Sequence, residues 1–190
     1  TVAGGGVMTG NVSLTFAGSG VGTCTIPAIT DNVIRVPNFT IKGLRGATFQ
    51  VTATSTGQKI TRIGATSFTF ENAGINRTFT TASGKVVVNV TTSTSSPLGM
   101  TLAMSGVRNG RSVSGGGITV VDNLTSLSCT MTPNSVVWTA SCNCPTSGSL
   151  STVGCSDSEP MTVTFGGACG EVTVTKGSTV KAVTMDRCQP

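Results

Sequence analysis

Apolar and polar residues alternate with a period of two along much of this chain. Val12, Leu14 and Phe16 alternate with Ser13 and Thr15. Phe68 and Phe70 alternate with Ser67 and Thr69, and Val172 and Val174 with Thr173 and Thr175. A period of two puts one set of side chains on each face of an extended strand, so each segment predicts a half-buried β-strand. No stretch carries a persuasive helical period, and good helix formers are sparse.

The breaks between these runs read as turns. Lys176-Gly177-Ser178 separates Val174 from Val180 and predicts a hairpin. Arg108-Asn109-Gly110-Arg111 is the strongest turn signal, because Asn-Gly tolerates the positive φ of a type I′ turn. Ala82-Ser83-Gly84-Lys85 predicts another turn, followed by Val86, Val87 and Val88, a continuous apolar run that suits a buried strand. Gly115-Gly116-Gly117 precedes a strand over residues 118–121. Strands at roughly ten-residue spacing predict an all-β, antiparallel β-sandwich, immunoglobulin-like or pilin-like, with a disulfide-rich C-terminal β region. The expected partition is an N-terminal extension over residues 1–16, a sandwich over 17–125 and a disulfide-rich β region over 126–190.

Cysteine placement supports that partition. Cys129, Cys142, Cys144, Cys155, Cys169 and Cys188 crowd into the last third, and Cys24 stands alone near the N-terminus. A region of about 65 residues has too little interior to hold itself together, and disulfides offset that. Three bridges among the six, with Cys24 unpaired or joined to another subunit, is the expected framework, and it places the chain outside the reducing cytoplasm. In Cys142-Asn143-Cys144-Pro145 the two sulfurs would share one face of an extended strand, too far apart to bond to each other. Each is expected to reach a different partner and to staple one strand to two neighbours. A tetrathiolate metal site is the rival reading, and paired C-x-x-C knuckles are missing for it.

Composition narrows the role. Thr, Val, Ser and Gly supply more than half of the 190 residues, and charged residues only 10%, against about 25% in a typical soluble domain. Such a low-charge strand surface suits burial against copies of itself or a matrix. No apolar run approaches the roughly 18 residues of a spanning helix. A chain beginning at Thr1 rather than Met is expected to have lost a leader or tag. The net charge of +5 is unevenly spread. Residues 1–111 carry nine basic and two acidic side chains, net +7, and residues 112–190 carry three and five, net −2. A basic front and an acidic back are able to meet head to tail. The basic residues are dispersed, and with one Trp and no Tyr aromatics for base stacking are scarce, so no nucleic-acid partner is expected.

Catalytic options are few. Without histidine the Ser/His/Asp and Cys/His pairings are excluded. Asp157 and Glu159 form the closest carboxylate pair, in a segment that reads as a solvated acidic loop; a weak calcium site or a glycosidase pair is the sharper alternative. Asn-x-Ser/Thr triplets begin at Asn11, Asn38, Asn76, Asn89 and Asn123, and in so Thr/Ser-rich a chain they arise readily by chance. Trp138 lies in a strand-like run between cysteines and is expected to pack on the disulfides.

Gly4-Gly5-Gly6, then Val7, Met8 and the alternating Val12, Leu14 and Phe16, resembles the N-terminal donor segment of secreted bacterial fimbrial and filament subunits assembled by β-strand donation. The resemblance covers about sixteen residues; the C-terminal cysteine cluster departs from chaperone–usher pilins. It implies strand addition at an open edge, with Val7, Val12, Leu14 and Phe16 as the self-association strand. The expected role is a non-enzymatic structural subunit of an extracellular filament, pilus or surface layer. Its partners would be copies of itself, with no cofactor and no nucleic acid. The alternative is a secreted, adhesin-like module for surface glycans, and a carboxylate hydrolase is third.

Overall fold

The computed structural model describes residues 6–18, 28–101, 110–155, 159–166, 168–185 and 188. The β-branched, alternating segments all form strands, and no helix occurs among these residues. In chain order the strands are β1 (Val7–Ala17), β2 (Asn32–Lys42), β3 (Thr48–Ala53), β4 (Gln58–Arg62) and β5 (Ser67–Asn72). Next come β6 (Ile75–Thr80), β7 (Val86–Ser96), β8 (Leu98–Thr101), β9 (Ser112–Ser114) and β10 (Gly117–Asp122). The last are β11 (Leu127–Val137), β12 (Ser147–Val153), β13 (Met161–Phe165), β14 (Glu171–Lys176) and β15 (Thr179–Thr184).

Every pairing is antiparallel, and one continuous hydrogen-bonded ladder joins all fifteen strands. Two long strands organise it. The first half of β2 pairs with β4 (Asn32↔Thr61 to Arg35↔Gln58), and the second half with β3 (Asn38↔Thr52 to Lys42↔Thr48). From β3 the ladder runs through β6 and β7 to β10; from β4 it runs through β5 and β8 to β9. Both routes end on β11, where β10 takes residues 127–131 and β9 takes Val136 and Val137. The pairings therefore close a ring. β1 is added outside it on β2, and the meander β12 to β15 is added outside it on β11. The ladder crosses residue 125 through the β10–β11 pairing.

The interior lies on one face of this sheet. Ile75 is 1% exposed, and Val51, Leu98 and Pro37 are also buried. In the meander, Val136, Phe165 and Val172 form a second buried cluster, with Trp138, Leu150, Val163 and Met185 packed on it. Trp138 sits just past β11 rather than in a strand, half-buried, with the Arg111 guanidinium 4.7 Å above its ring centre. That geometry adds a cation–π contact to its packing.

The predicted hairpin closes as Lys176↔Thr179 with Gly177 at φ +54°, and the predicted turn at Ala82 closes through the Gly84 N–H donating to the Thr81 carbonyl. Arg108 and Asn109 of the Asn-Gly turn lie outside the described residues; Gly110 N–H donates to the Trp138 carbonyl. The run at Val86, Val87 and Val88 forms the start of β7 as expected, but all three side chains are exposed. The reason is reach: β10 covers β7 only from Val90 to Ser96, so this end of the strand projects beyond the ring.

Candidate assembly surface

β1 pairs with β2 over its whole length, from Val7↔Lys42 to Ala17↔Asn32. Its other edge has no partner strand among the described residues, and β2 is the one element that packs on it substantially. Val7 is 58% and Leu14 57% exposed; Met8 and Val12 are also exposed, and Phe16 is half-buried. The residues of the predicted self-association strand thus lie together on one strand, within their own chain's sheet, with Val7 and Leu14 more than half in solvent. The strand contains no charge and no proline. Natural sheets commonly guard long edges with charges, prolines or covering elements; β1 carries no charge or proline, and no covering element lies on it among the described residues. Gly10 is its one irregularity. Its φ is +100°, and a Cβ there would run into the Asn38 carbonyl, so the strand needs glycine to stay close to β2 at this point.

β15 is the counterpart at the far end. Among the described strands only β1 and β15 are paired along a single side. All six β15 residues are exposed, with Val180 at 64%.

The register also sorts the ring's surface into rows that sequence spacing could not reveal. Cross-strand partners share a face. On the outer face, Asn11, Asn38, Thr52, Asn76 and Thr91 form one row across β1, β2, β3, β6 and β7. Beside it runs a second row of Thr9, Thr40, Gln50, Thr78 and Asn89. Asn76 Nδ2 donates to Asn89 Oδ1 at 2.8 Å, and Asn123 Nδ2 donates to the same oxygen at 3.0 Å. The five Asn-x-Ser/Thr asparagines therefore gather on one side of the sheet, three of them joined through one amide oxygen. On the opposite face, Met8, Ile41, Phe49, Phe79 and Val88 make a wholly apolar row. Its two ends are exposed and its middle is half-buried.

The six C-terminal cysteines close three bridges, Cys129–Cys155, Cys142–Cys169 and Cys144–Cys188, with Cα–Cα separations of 4.6, 5.6 and 5.5 Å. Cys142 and Cys144 do reach different partners. They do so from the loop between β11 and β12 rather than from a strand, so the loop is stapled and not a strand to its neighbours. All three bridges tie down the meander, in accord with folding in an oxidising compartment. Cys24 lies outside the described residues.

An apolar cleft of about 330 Å³ opens where ring and meander meet, lined by Phe70, Leu98, Met100, Val136, Trp138 and Phe165 among others. Among the described residues its lining is apolar apart from the Trp138 indole N–H. Asp157 lies outside the described residues, and Glu159 is exposed. No group of three or more potential metal-ligating His, Cys, Asp or Glu side chains occurs among the described residues. The Asp122 carboxyl is held below its ordinary range. The Thr125 hydroxyl, donating at 2.8 Å, is the main cause, and the Leu124 N–H, donating at 3.0 Å, adds to it. Those bonds form the turn between β10 and β11, which is a structural task. No described helix is long and apolar enough to cross a membrane. Comparison with protein-family models, curated proteins and solved structures finds no match.

Proposed function

We propose that this chain is a structural subunit of an extracellular filament or surface layer, assembled by β-strand addition. The observation that carries this reading is β1. It is an eleven-residue strand held by one ladder, uncharged, with a free edge and exposed apolar side chains. Exposed edges of this kind are templates for another chain, and β-strand addition gives main-chain hydrogen bonds along the whole joint. The ring of strands serves as the sandwich body of the subunit, and the disulfide-tied meander as its reinforced end. The role is mechanical and not enzymatic; the partner is a further copy of the chain. Native mass measurement with negative-stain imaging of the purified protein tests it. Polymers are the expected result, and a monomer at high concentration refutes it.

The outer-face rows favour a second reading as a surface- or glycan-binding module. Ten cross-strand hydroxyl and carboxamide side chains on one face offer many hydrogen bonds to a polysaccharide. Retention of the monomer on an immobilised glycan, lost on replacing Asn38 and Thr40 by alanine, supports that reading.

A further inference from the structure

We propose that the free edge of β1 pairs with the free edge of β15 of a second copy, so that the sheet of one subunit continues into the sheet of the next. The inference rests on the assembly reading above and specifies the two surfaces that meet. A free ladder edge takes a strand that itself has a free edge, and among the described strands only β1 and β15 qualify. Three unions follow: β1 with β1, β15 with β15, and β1 with β15.

Charge separates the three. Residues 1–111, which carry β1, have net charge +7, and residues 112–190, which carry β15, have net charge −2. Joining β1 to β1 brings two strongly basic halves together. Joining β15 to β15 sets Lys181 of each copy against the other across a short joint. Joining β1 to β15 avoids both and leaves β1, which has no charge, beside the single lysine of β15. Avoiding like charge selects one partner arrangement over others.

Followed from partner to partner along the ladder, Met8, Val12, Leu14 and Phe16 of β1 lie on the same face of the sheet as Leu150, Val163, Val172 and Val183, a face on which β15 also carries Thr179 and Lys181. Val180 and Ala182 lie on the other face, with Asn11, Ser13 and Thr15. The union is heterologous, each copy keeping one unused β1 and one unused β15, so it does not close on itself and grows as a line.

Two variants of the full chain test this. In the first, Val12→Lys and Leu14→Lys charge the β1 edge; in the second, Val180→Lys and Ala182→Lys charge the β15 edge. All four positions are exposed, so both variants are expected to close the same three disulfides, checked by non-reducing peptide mapping. Each variant alone is expected to lose polymers entirely. An equimolar mixture is expected to give a discrete dimer of one copy of each, because one intact β1 and one intact β15 remain. If the β15 variant assembles by itself as the parent protein does, β15 is not the partner and the inference falls while the assembly reading stands. The same holds if the β1 variant assembles, or if the mixture stays monomeric. If the parent protein is monomeric at every concentration, the assembly reading itself falls. Leu14→Glu and Ala182→Glu as single changes give the same readings should a lysine pair prevent bridge formation.

Discussion

Leu14 on β1 lies directly opposite Arg35 on β2, and both side chains are exposed. Arg35 reaches away to Gln58, its Nη1 donating to Oε1 at 3.4 Å. Leu14 thus has little of its own chain to bury against. Full burial of a leucine is worth about 1.5–3 kcal/mol, and Leu14 stays 57% exposed within this chain. Leu14→Ala is therefore expected to change monomer stability by less than about 0.5 kcal/mol while weakening self-association. Chemical denaturation of dilute protein and sedimentation of concentrated protein check the two halves of that statement.

Deleting residues 1–17 sharpens the contrast. β1 packs on β2 and on little else, so the ring and meander are expected to remain folded, with all three disulfides intact and a reduced unfolding midpoint. Polymers are expected to vanish. Fibres formed by the truncated chain would refute the assembly role of β1.

Ile75 is the opposite case. It is 1% exposed on β6, on the interior face of the ring. Ile75→Ala removes three methyl or methylene groups from a packed site and is expected to cost about 2–5 kcal/mol. Thermal unfolding of the monomer measures it. A loss below about 1 kcal/mol would mean that the ring interior is not packed as described.

Much of this arrangement was legible beforehand. The alternation at Val12, Leu14 and Phe16 and at Val172 and Val174 marked strands because a period of two is a local property. So were the hairpin at Gly177 and the even count of C-terminal cysteines. What escaped was whatever depends on distant partners. The exposure of Val86, Val87 and Val88 follows from how far β10 extends, which no feature of those three residues reports. The gathering of Asn11, Asn38, Asn76, Asn89 and Asn123 on one side requires the register of several strand pairs. The six cysteines allow fifteen connectivities, and only the path of the meander selects among them.

The bridge from Cys142 to Cys169 is expected to be the most important of the three. Cys142 is 2% exposed, so its loss leaves a buried defect as well as a freer unfolded chain. Removing a native bridge from so small a region costs about 2–5 kcal/mol. Cys142→Ala with Cys169→Ala should fall at the upper end of that range, and Cys129→Ala with Cys155→Ala lower. Denaturation midpoints of the two double variants decide the order.

Asp122 gives the fold a mild acid sensitivity. The Thr125 hydroxyl and the Leu124 N–H hold its carboxyl below the ordinary range in the folded state. A depressed folded pKa contributes stability above the unfolded value, near 3.9, and that contribution disappears as pH falls through the folded value. Stability between pH 5 and 2 is therefore expected to fall less steeply in Asp122→Asn than in the parent. A carboxyl titration followed by NMR should find Asp122 ionised at a pH where an ordinary aspartate is protonated.

The bridge between Cys144 and Cys188 spans 44 residues of sequence with its Cα atoms 5.5 Å apart. Those residues hold a contour length of about 150 Å if pulled straight. Under tension applied on either side of the pair, the covalent link carries the load and the hidden length stays stored. Force passes from residue 144 to residue 188 without entering β12, β13, β14 or β15. β15, the strand proposed above to meet the next copy, lies within that bridged stretch.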